Sequence, residues 1–293
     1  MTEITEIGYG KINLALAITG CREDGYHNID TIFQSIGLYD TVTLTEAEEF
    51  QLTCSVESLP CDETNLAYRA WKALCPYKKD NHQVAIHIEK RIPIAAGLAG
   101  GSTDCAAVLR GLNRLWNLSL SQEELCRIGA KLGADVPFCL CGGTMRGTGI
   151  GERLRVLSPL PPWPVALVHP RVAVETKRAY ALFDGHKEHG TIDVDAVEAA
   201  IEKDDFEALT DAMGNTFEEL VMPDVPQVAQ CRDRLASLGL QPLMAGSGPT
   251  VFALVPPTRE EEVRRQVMTW ADVDTYMTTI VKRGDGEDRK SVV

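Results

Sequence analysis

An alternating apolar run, Val84, Ile86 and Ile88, passes into a helical stripe of Val108, Leu112 and Leu115 through a junction nearly bare of large side chains. That junction reads Pro93-Ile94-Ala95-Ala96-Gly97-Leu98-Ala99-Gly100-Gly101-Ser102-Thr103-Asp104. The order of strand, glycine-rich loop and helix constrains the fold more than any other stretch. A loop so poor in side chains lets the backbone close around a ligand, and the unpaired N–H groups of the following helix suit phosphate. Ser102, Thr103 or Asp104 is expected to cap that helix. No Gly-Lys-Ser/Thr follows and the G-x-G-x-x-G spacing is missing, so neither common nucleotide fingerprint applies. A tight strand-to-helix turn without a ligand is the plain alternative.

At 293 residues the chain can bury two domains or one large one, and its 44% apolar and 24% charged composition is that of a globular protein. Its 29 basic and 42 acidic residues give a net charge of −13. Such a surface repels nucleic acid and anionic lipid, so any polyanionic ligand must be held by locally placed cations and backbone N–H groups. The N-terminus lacks the regions of a signal peptide, and no apolar run reaches the ~18 residues of a membrane span. Nine cysteines without regular spacing fit a reducing, cytoplasmic setting. Cys139 and Cys141 read as core positions of an apolar strand, and the His186-x-x-His189 pair reads as a solvated loop.

Periodicity predicts strands around 12–18, 41–45, 83–89, 138–141, 165–169, 251–255 and 276–281. Helices are expected at 65–74, from 102 to about 116, from 121 to Gly133, and at about 176–183, 193–201, 204–220, 225–238 and 259–270. Ser121-Gln122-Glu123-Glu124 is a capping box, with Leu120 and Leu125 placed to form a hydrophobic staple. The proline cluster at 159–164 suggests a boundary, giving domains 1–157 and 158–283 and a flexible tail at 284–293. Three glycine-rich segments, 93–103, 142–151 and 245–249, suggest several backbones converging on one ligand.

With these segments stand Lys11-Ile12-Asn13-Leu14, Asp24-Gly25-Tyr26-His27, Gly133-Ala134-Asp135-Val136-Pro137-Phe138 and Gly246-Ser247-Gly248-Pro249-Thr250-Val251-Phe252-Ala253-Leu254. In this set and order the chain resembles the GHMP small-molecule kinases over nearly its whole length. The Asp-Gly-Tyr-His block is similar to that of the branch acting on a cytidine diphosphate polyol in isoprenoid precursor synthesis. The resemblance implies an α+β fold: an N-terminal ATP-binding domain like ribosomal protein S5 domain 2, and a C-terminal ferredoxin-like α/β domain.

It also implies roles. Asp135 would take the proton of the acceptor hydroxyl and Lys11 would steady the charge on the transferring phosphoryl, the two demands phosphoryl transfer makes of a protein. Pro93, Ile94, Ala95, Ala96, Gly97, Leu98, Ala99, Gly100, Gly101, Ser102 and Thr103 would cradle ATP, with Asn65 and Leu66 at the adenine. Tyr26 and Tyr180 would sandwich the cytosine, His27 would meet the base edge, and Asn13 would orient Asp135 or the polyol hydroxyls. Mg2+ is expected with ATP, its protein ligand unknown and Ser102 a candidate. Nucleic-acid and membrane partners are not expected, and either a monomer or a weak homodimer is compatible. Ala96 and Ala99 stand where the family usually has glycine and Thr103 where it has serine, so a slightly reshaped loop is expected. A homoserine or mevalonate kinase, or a non-catalytic nucleotide or sugar sensor, is the alternative function.

Overall fold

The computed structural model describes residues 2–79, 82–186 and 190–282. The tail and His189 lie outside them; His186, at the end of a helix, bonds the Leu182 carbonyl through Nδ1 at 2.7 Å. In chain order the elements are β1 (Glu3–Cys21), β2 (His27–Ala47), β3 (Gln51–Cys54), α1 (Leu66–Leu74), β4 (Gln83–Glu89), α2 (Gly100–Leu115), α3 (Gln122–Ala130) and α4 (Val136–Cys141). There follow β5 (Thr144–Gly149), β6 (Arg153–Val156), β7 (Pro164–His169), α5 (Thr176–Gly185), α6 (Val194–Glu202), α7 (Phe206–Ala212) and β8 (Gly214–Asn215). The chain ends with α8 (Glu218–Asp224), α9 (Pro226–Ser237), β9 (Pro242–Met244), β10 (Val251–Leu254), α10 (Glu260–Val267) and β11 (Asp274–Thr279). Two compact units result, one of Met1–Gly10, Tyr39–Pro93 and Ala99–Cys141, the other of Lys11–Leu38, Ile94–Leu98 and Gly142–Val293. A cut at 157/158 falls inside the second.

In the first unit β4 runs antiparallel to 41–47 of β2, and β3 runs parallel to β4. The strands alternate, so Val42, Leu44, Ile86 and Ile88 face Ala106, Leu109 and Leu112 of α2 and Val136 and Leu140 of α4 in one core. Asn65 caps α1 by accepting from Ala67 N at 2.9 Å. The Ser121 capping box is formed in both directions. The 138–141 run, expected as a strand, is instead α4, with Asp135 just before it: Cys139 N–H bonds the Asp135 carbonyl at 3.0 Å. Pro137 favours this, since proline is accommodated in the first turn of a helix. The apolar run is too short for periodicity to separate the two states. Cys139 and Cys141 are half-buried, not core.

The glycine loop is fastened at both stems in this unit. Fully buried Asp40 accepts Arg91 N at 2.6 Å and Ile92 N at 2.9 Å through Oδ1, while its Oδ2 meets Lys90 Nζ at 2.5 Å. The same ammonium reaches Asp104 Oδ2 in α2 at 2.7 Å. Burial opposes charge on Lys90, but the two carboxylates outweigh it and raise its pKa. Asp104 is 2% exposed and its Oδ1 has no hydrogen-bond partner. Burial pushes its pKa up to about 7 against the pull of Lys90, and Asp40 adds to the rise.

Asp104 therefore does not cap α2, nor do Ser102 and Thr103. The cap is Ala99, held at φ 60° and ψ 30° with no side-chain bond. Ala95 is likewise left-handed at φ 53°. The alanines that replace family glycines do not all exclude positive φ: Ala99 adopts it, at a strain of about 1–2 kcal/mol.

In the second unit β5 runs antiparallel to 29–34 of β2 and carries β6, and β8 pairs in parallel with β1 at Ala15 and Leu16. The glycine segment at 142–151 is thus taken up largely by β5 and its turns. A separate antiparallel sheet has the order β11-β7-β10-β9. Counted among themselves these strands run 4-1-3-2, the ferredoxin-like order expected. Leu16, Val168, Phe217, Val221, Val228, Leu235, Val251 and Val263 join its core. The helix expected over 204–220 is broken: α7 ends at Ala212, Gly214–Asn215 forms β8, and α8 begins at Glu218. Gly214, Asn215 and Thr216 are poor helix formers.

Two outcomes follow from the loop stems. Ala99→Gly removes left-handed strain but adds freedom to the unfolded chain, so we expect a net gain of about 0.5–1 kcal/mol in chemical denaturation. An unchanged or lowered midpoint would show that Ala99 is not strained. Asp104 binds its proton more tightly folded than unfolded, so between its ordinary 3.8 and about 7 the folded protein holds more protons. The stability of wild type relative to Asp104→Asn should therefore rise as pH falls from about 7 to 4, by up to ~1.4 kcal/mol per pH unit. A flat difference across that window would contradict the raised pKa.

Candidate functional site

Strand alternation puts Lys11, Asn13 and Ala15 on one face of β1. Thr31 of β2 donates to the Ala15 carbonyl at 2.6 Å and accepts from Asn13 Nδ2 at 2.8 Å. Asn13 Oδ1 is then turned to Lys11 Nζ, 2.9 Å away. The ammonium also donates to the Gly97 carbonyl at 3.1 Å and lies 5.7 Å from the centroid of the Phe33 ring. Lys11 is only 4% exposed, so each of these bonds acts with little competition from water. The Asn13 side-chain carbonyl serves Lys11.

The loop at 94–98 is held from both sides. The Leu98 carbonyl accepts Lys11 N at 3.1 Å, and the Ala96 carbonyl accepts Thr250 N at 3.4 Å. Gly97 lies at φ 77°, and a Cβ there would stand 2.2 Å from the Ala245 carbonyl oxygen. Gly246 lies at φ 56°, where a Cβ would crowd Lys11 Nζ at 3.2 Å. Two of the three glycine-rich segments therefore meet around one ammonium, each glycine required by a neighbour.

Asn215 completes this arrangement, and sequence reasoning missed it. Its Nδ2 donates to the Met244 and Gly246 carbonyls, both at 2.7 Å, while Oδ1 accepts Phe217 N at 3.0 Å. The signal was the Gly214-Asn215-Thr216 interruption inside an otherwise helical stretch. Farther along the loop, Ser247 Oγ bonds Thr176 Oγ1 at 3.0 Å and Thr250 Oγ1 bonds His169 Nδ1 at 3.2 Å. Burial lowers the His169 pKa, which favours a neutral ring.

A second group forms around the β1–β2 hairpin. His27 is buried, its ring stacked on Tyr180 with centroids 4.7 Å apart and planes 20° apart, and set edge-on to Phe183. Its Nε2 meets Asp184 Oδ1 at 2.7 Å. Tyr26 is 60% exposed. One face of Tyr180 is thus occupied by His27, and its edge contact is with Phe217.

The remaining candidates lie in the first unit. Thr103 donates its hydroxyl to the Tyr9 carbonyl at 2.7 Å, anchoring the first turn of α2 to β1. Ser102, one turn-position earlier, is half-buried. Asn65 spends its amide on the Pro60 carbonyl at 2.7 Å and its carbonyl on the α1 cap, with Leu66 half-buried beside it. Asp135 stands between α3 and α4, its backbone fixed by the Val136–Gly133 and Cys139–Asp135 bonds. Among the described residues no helix is long and apolar enough to cross a membrane.

Residues 65–143 match the GHMP kinases N terminal domain and residues 197–270 the GHMP kinases C terminal. The chain is 43% identical over 255 residues to the 4-diphosphocytidyl-2-C-methyl-D-erythritol kinase of Enterococcus faecalis, covering 86% of this chain and 90% of that one. Identity to the protein of the same name from Bacillus subtilis is 43% over 256 residues, 86% and 88% of the two chains. A crystal structure of 4-(cytidine 5'-diphospho)-2C-methyl-D-erythritol kinase superposes with a TM-score of 0.80 at 30% identity, over 96% of this chain and 100% of the other. Homoserine kinase from Cytophaga hutchinsonii, at 17% identity and a TM-score of 0.76 over 97% and 96% of the chains, shares the fold.

Proposed function

This chain belongs to the GHMP kinases, and from that membership we infer the reaction it performs: transfer of the γ-phosphoryl of ATP to the 2-hydroxyl of 4-diphosphocytidyl-2-C-methyl-D-erythritol, giving the 2-phosphate and ADP. It is a kinase of an alcohol acceptor in the non-mevalonate route to isoprenoid precursors. The substrate rests on relatives 43% identical over most of their length, whereas homoserine kinase shares fold alone at 17%. The observation that carries the chemistry is the buried Lys11 ammonium, bonded to the glycine-loop carbonyl of Gly97 and oriented by Asn13.

In this reading Asp135 accepts the hydroxyl proton as the oxygen attacks phosphorus, and Lys11 offsets charge on the transferring group. The 93–103 loop and the start of α2 cradle the phosphates, the backbone N–H groups there supplying donors. Asn65 and Leu66 line the adenine site. Tyr26 offers its exposed face to cytosine, and Tyr180 closes the sandwich on the base. His27 reads the base edge by exchanging its Asp184 bond for one to the base.

Magnesium accompanies ATP and would lower the charge of the phosphates. The donor chemistry at the loop suits it, since Mg2+ keeps several waters and takes most other ligands from phosphate, leaving the Ser102 hydroxyl as the protein donor. We place the domain division at 157/158, with the two matched segments on either side of it. A cytoplasmic monomer or weak homodimer without nucleic-acid partners fits the charge of −13.

Asp135→Asn should lower kcat by about 10²–10⁴-fold while leaving both KM values near wild type. A wild-type kcat in that variant ends the base assignment. Tyr26→Ala should raise KM for the cytidyl substrate about tenfold with little change in kcat, as loss of one base–aromatic stack predicts. Coupled ADP release across a panel with homoserine and mevalonate should respond to the cytidyl polyol alone; turnover of either other alcohol would reassign the substrate.

A further inference from the structure

β1 ends at Cys21, and a tight hairpin at 22–26 returns the chain at His27. The hairpin is closed by Arg22 N bonding the Tyr26 carbonyl at 2.7 Å and Gly25 N bonding the Arg22 carbonyl at 3.0 Å. Gly25 sits at φ 82° at its tip. From α5, Asp184 comes to the same spot. The sulfur of Cys21, a ring nitrogen of His27 and a carboxylate oxygen of Asp184 all lie within 4.8 Å of one another, a grouping of three such donors among the described residues. Phosphoryl transfer makes no use of the thiol, and nothing in the proposed mechanism requires sulfur here.

We propose that Cys21, His27 and Asp184 form a binding site for a divalent cation of borderline softness, of which zinc is the best match. One sulfur, one nitrogen and one oxygen suit zinc and not magnesium or calcium, which take oxygen alone. The nitrogen is pre-oriented: the His27 ring is buried, stacked on Tyr180 and edged by Phe183, and its Nε2 already points at Asp184. The two other donors belong to exposed side chains that can adjust. With Zn–S of about 2.3 Å and Zn–N or Zn–O near 2.0 Å, tetrahedral donors stand roughly 3.3–3.6 Å apart, so closure asks for shifts of about 1 Å. Three protein ligands leave a fourth position for water. Binding gives up the Cys21 thiol proton to solvent, so affinity rises with pH.

One consequence rests on the proposed reading of His27. A cation on Nε2 occupies the atom that meets the cytosine edge, so zinc competes with the cytidyl substrate and not with ATP.

Cobalt(II) titrated into the metal-free, reduced full chain is the direct probe. Wild type should show a thiolate-to-cobalt charge-transfer band, and Cys21→Ser should lose it. Both Cys21→Ser and Asp184→Asn should bind zinc about tenfold or more weakly against a chromogenic chelator. No band in wild type, or a band that survives Cys21→Ser, overturns the site, since the chain has nine free cysteines and another would then be the ligand. Zinc should raise the apparent KM for the cytidyl substrate in wild type and not in Cys21→Ser, which keeps its metal-free kcat. Should cobalt bind as described while zinc leaves that KM unchanged, the metal site stands and the base-edge role of His27 falls.

Discussion

Burying an ammonium group demands oxygen partners of fixed position, and Asn13 and Gly97 supply two of them to Lys11. Burial strengthens each hydrogen bond it makes and makes any missing one expensive. The requirement propagates outward. Asn13 must turn its carbonyl to the ammonium, so Thr31 must accept from the amide and donate its hydroxyl to the Ala15 carbonyl. Gly97 must present its carbonyl, so the loop must adopt a positive φ, and the 245–250 segment must come close enough that no side chain fits at 97 or 246. Asn215 then holds that segment through two of its carbonyls. One run of hydrogen bonds thus links the ammonium to two loops and to the two-residue strand β8.

The Asp40–Lys90–Asp104 cluster obeys the same rule with opposite arithmetic. Two carboxylates share one ammonium, so the cluster is one proton short of neutrality at high pH, and Asp104 keeps its proton toward pH 7. Asp40 meanwhile fixes the backbone where β4 leaves for the loop, and Asp104 fixes it where α2 begins. The glycine-rich loop is thus fixed at both stems by buried side chains.

Much of this was legible in the chain itself. Alternation in 83–89 and the capping box at Ser121 are local signals, and the structure follows them. The fold class and the kinase reading came from motifs spread over nearly the whole length. Local signals failed where two outcomes cost nearly the same. The 138–141 run is apolar in either a strand or a helix, and Pro137 tips it to helix only once Asp135 serves as its start. The break at Gly214 depends on Asn215 finding carbonyls at Met244 and Gly246, about thirty residues away, which no window of sequence contains. The caps proposed for α2 failed for the same reason: Thr103 and Asp104 had distant partners in Tyr9 and Lys90.

Ala95 and Ala99 have a meaning beyond strain. A glycine at either position would leave the loop many conformations to lose on folding; an alanine leaves fewer. The entropy of ordering is therefore surrendered while the polypeptide folds, and the loop's shape is decided in the folded chain. Such a loop exchanges adaptability for readiness: whatever meets it must fit a backbone that does not give way.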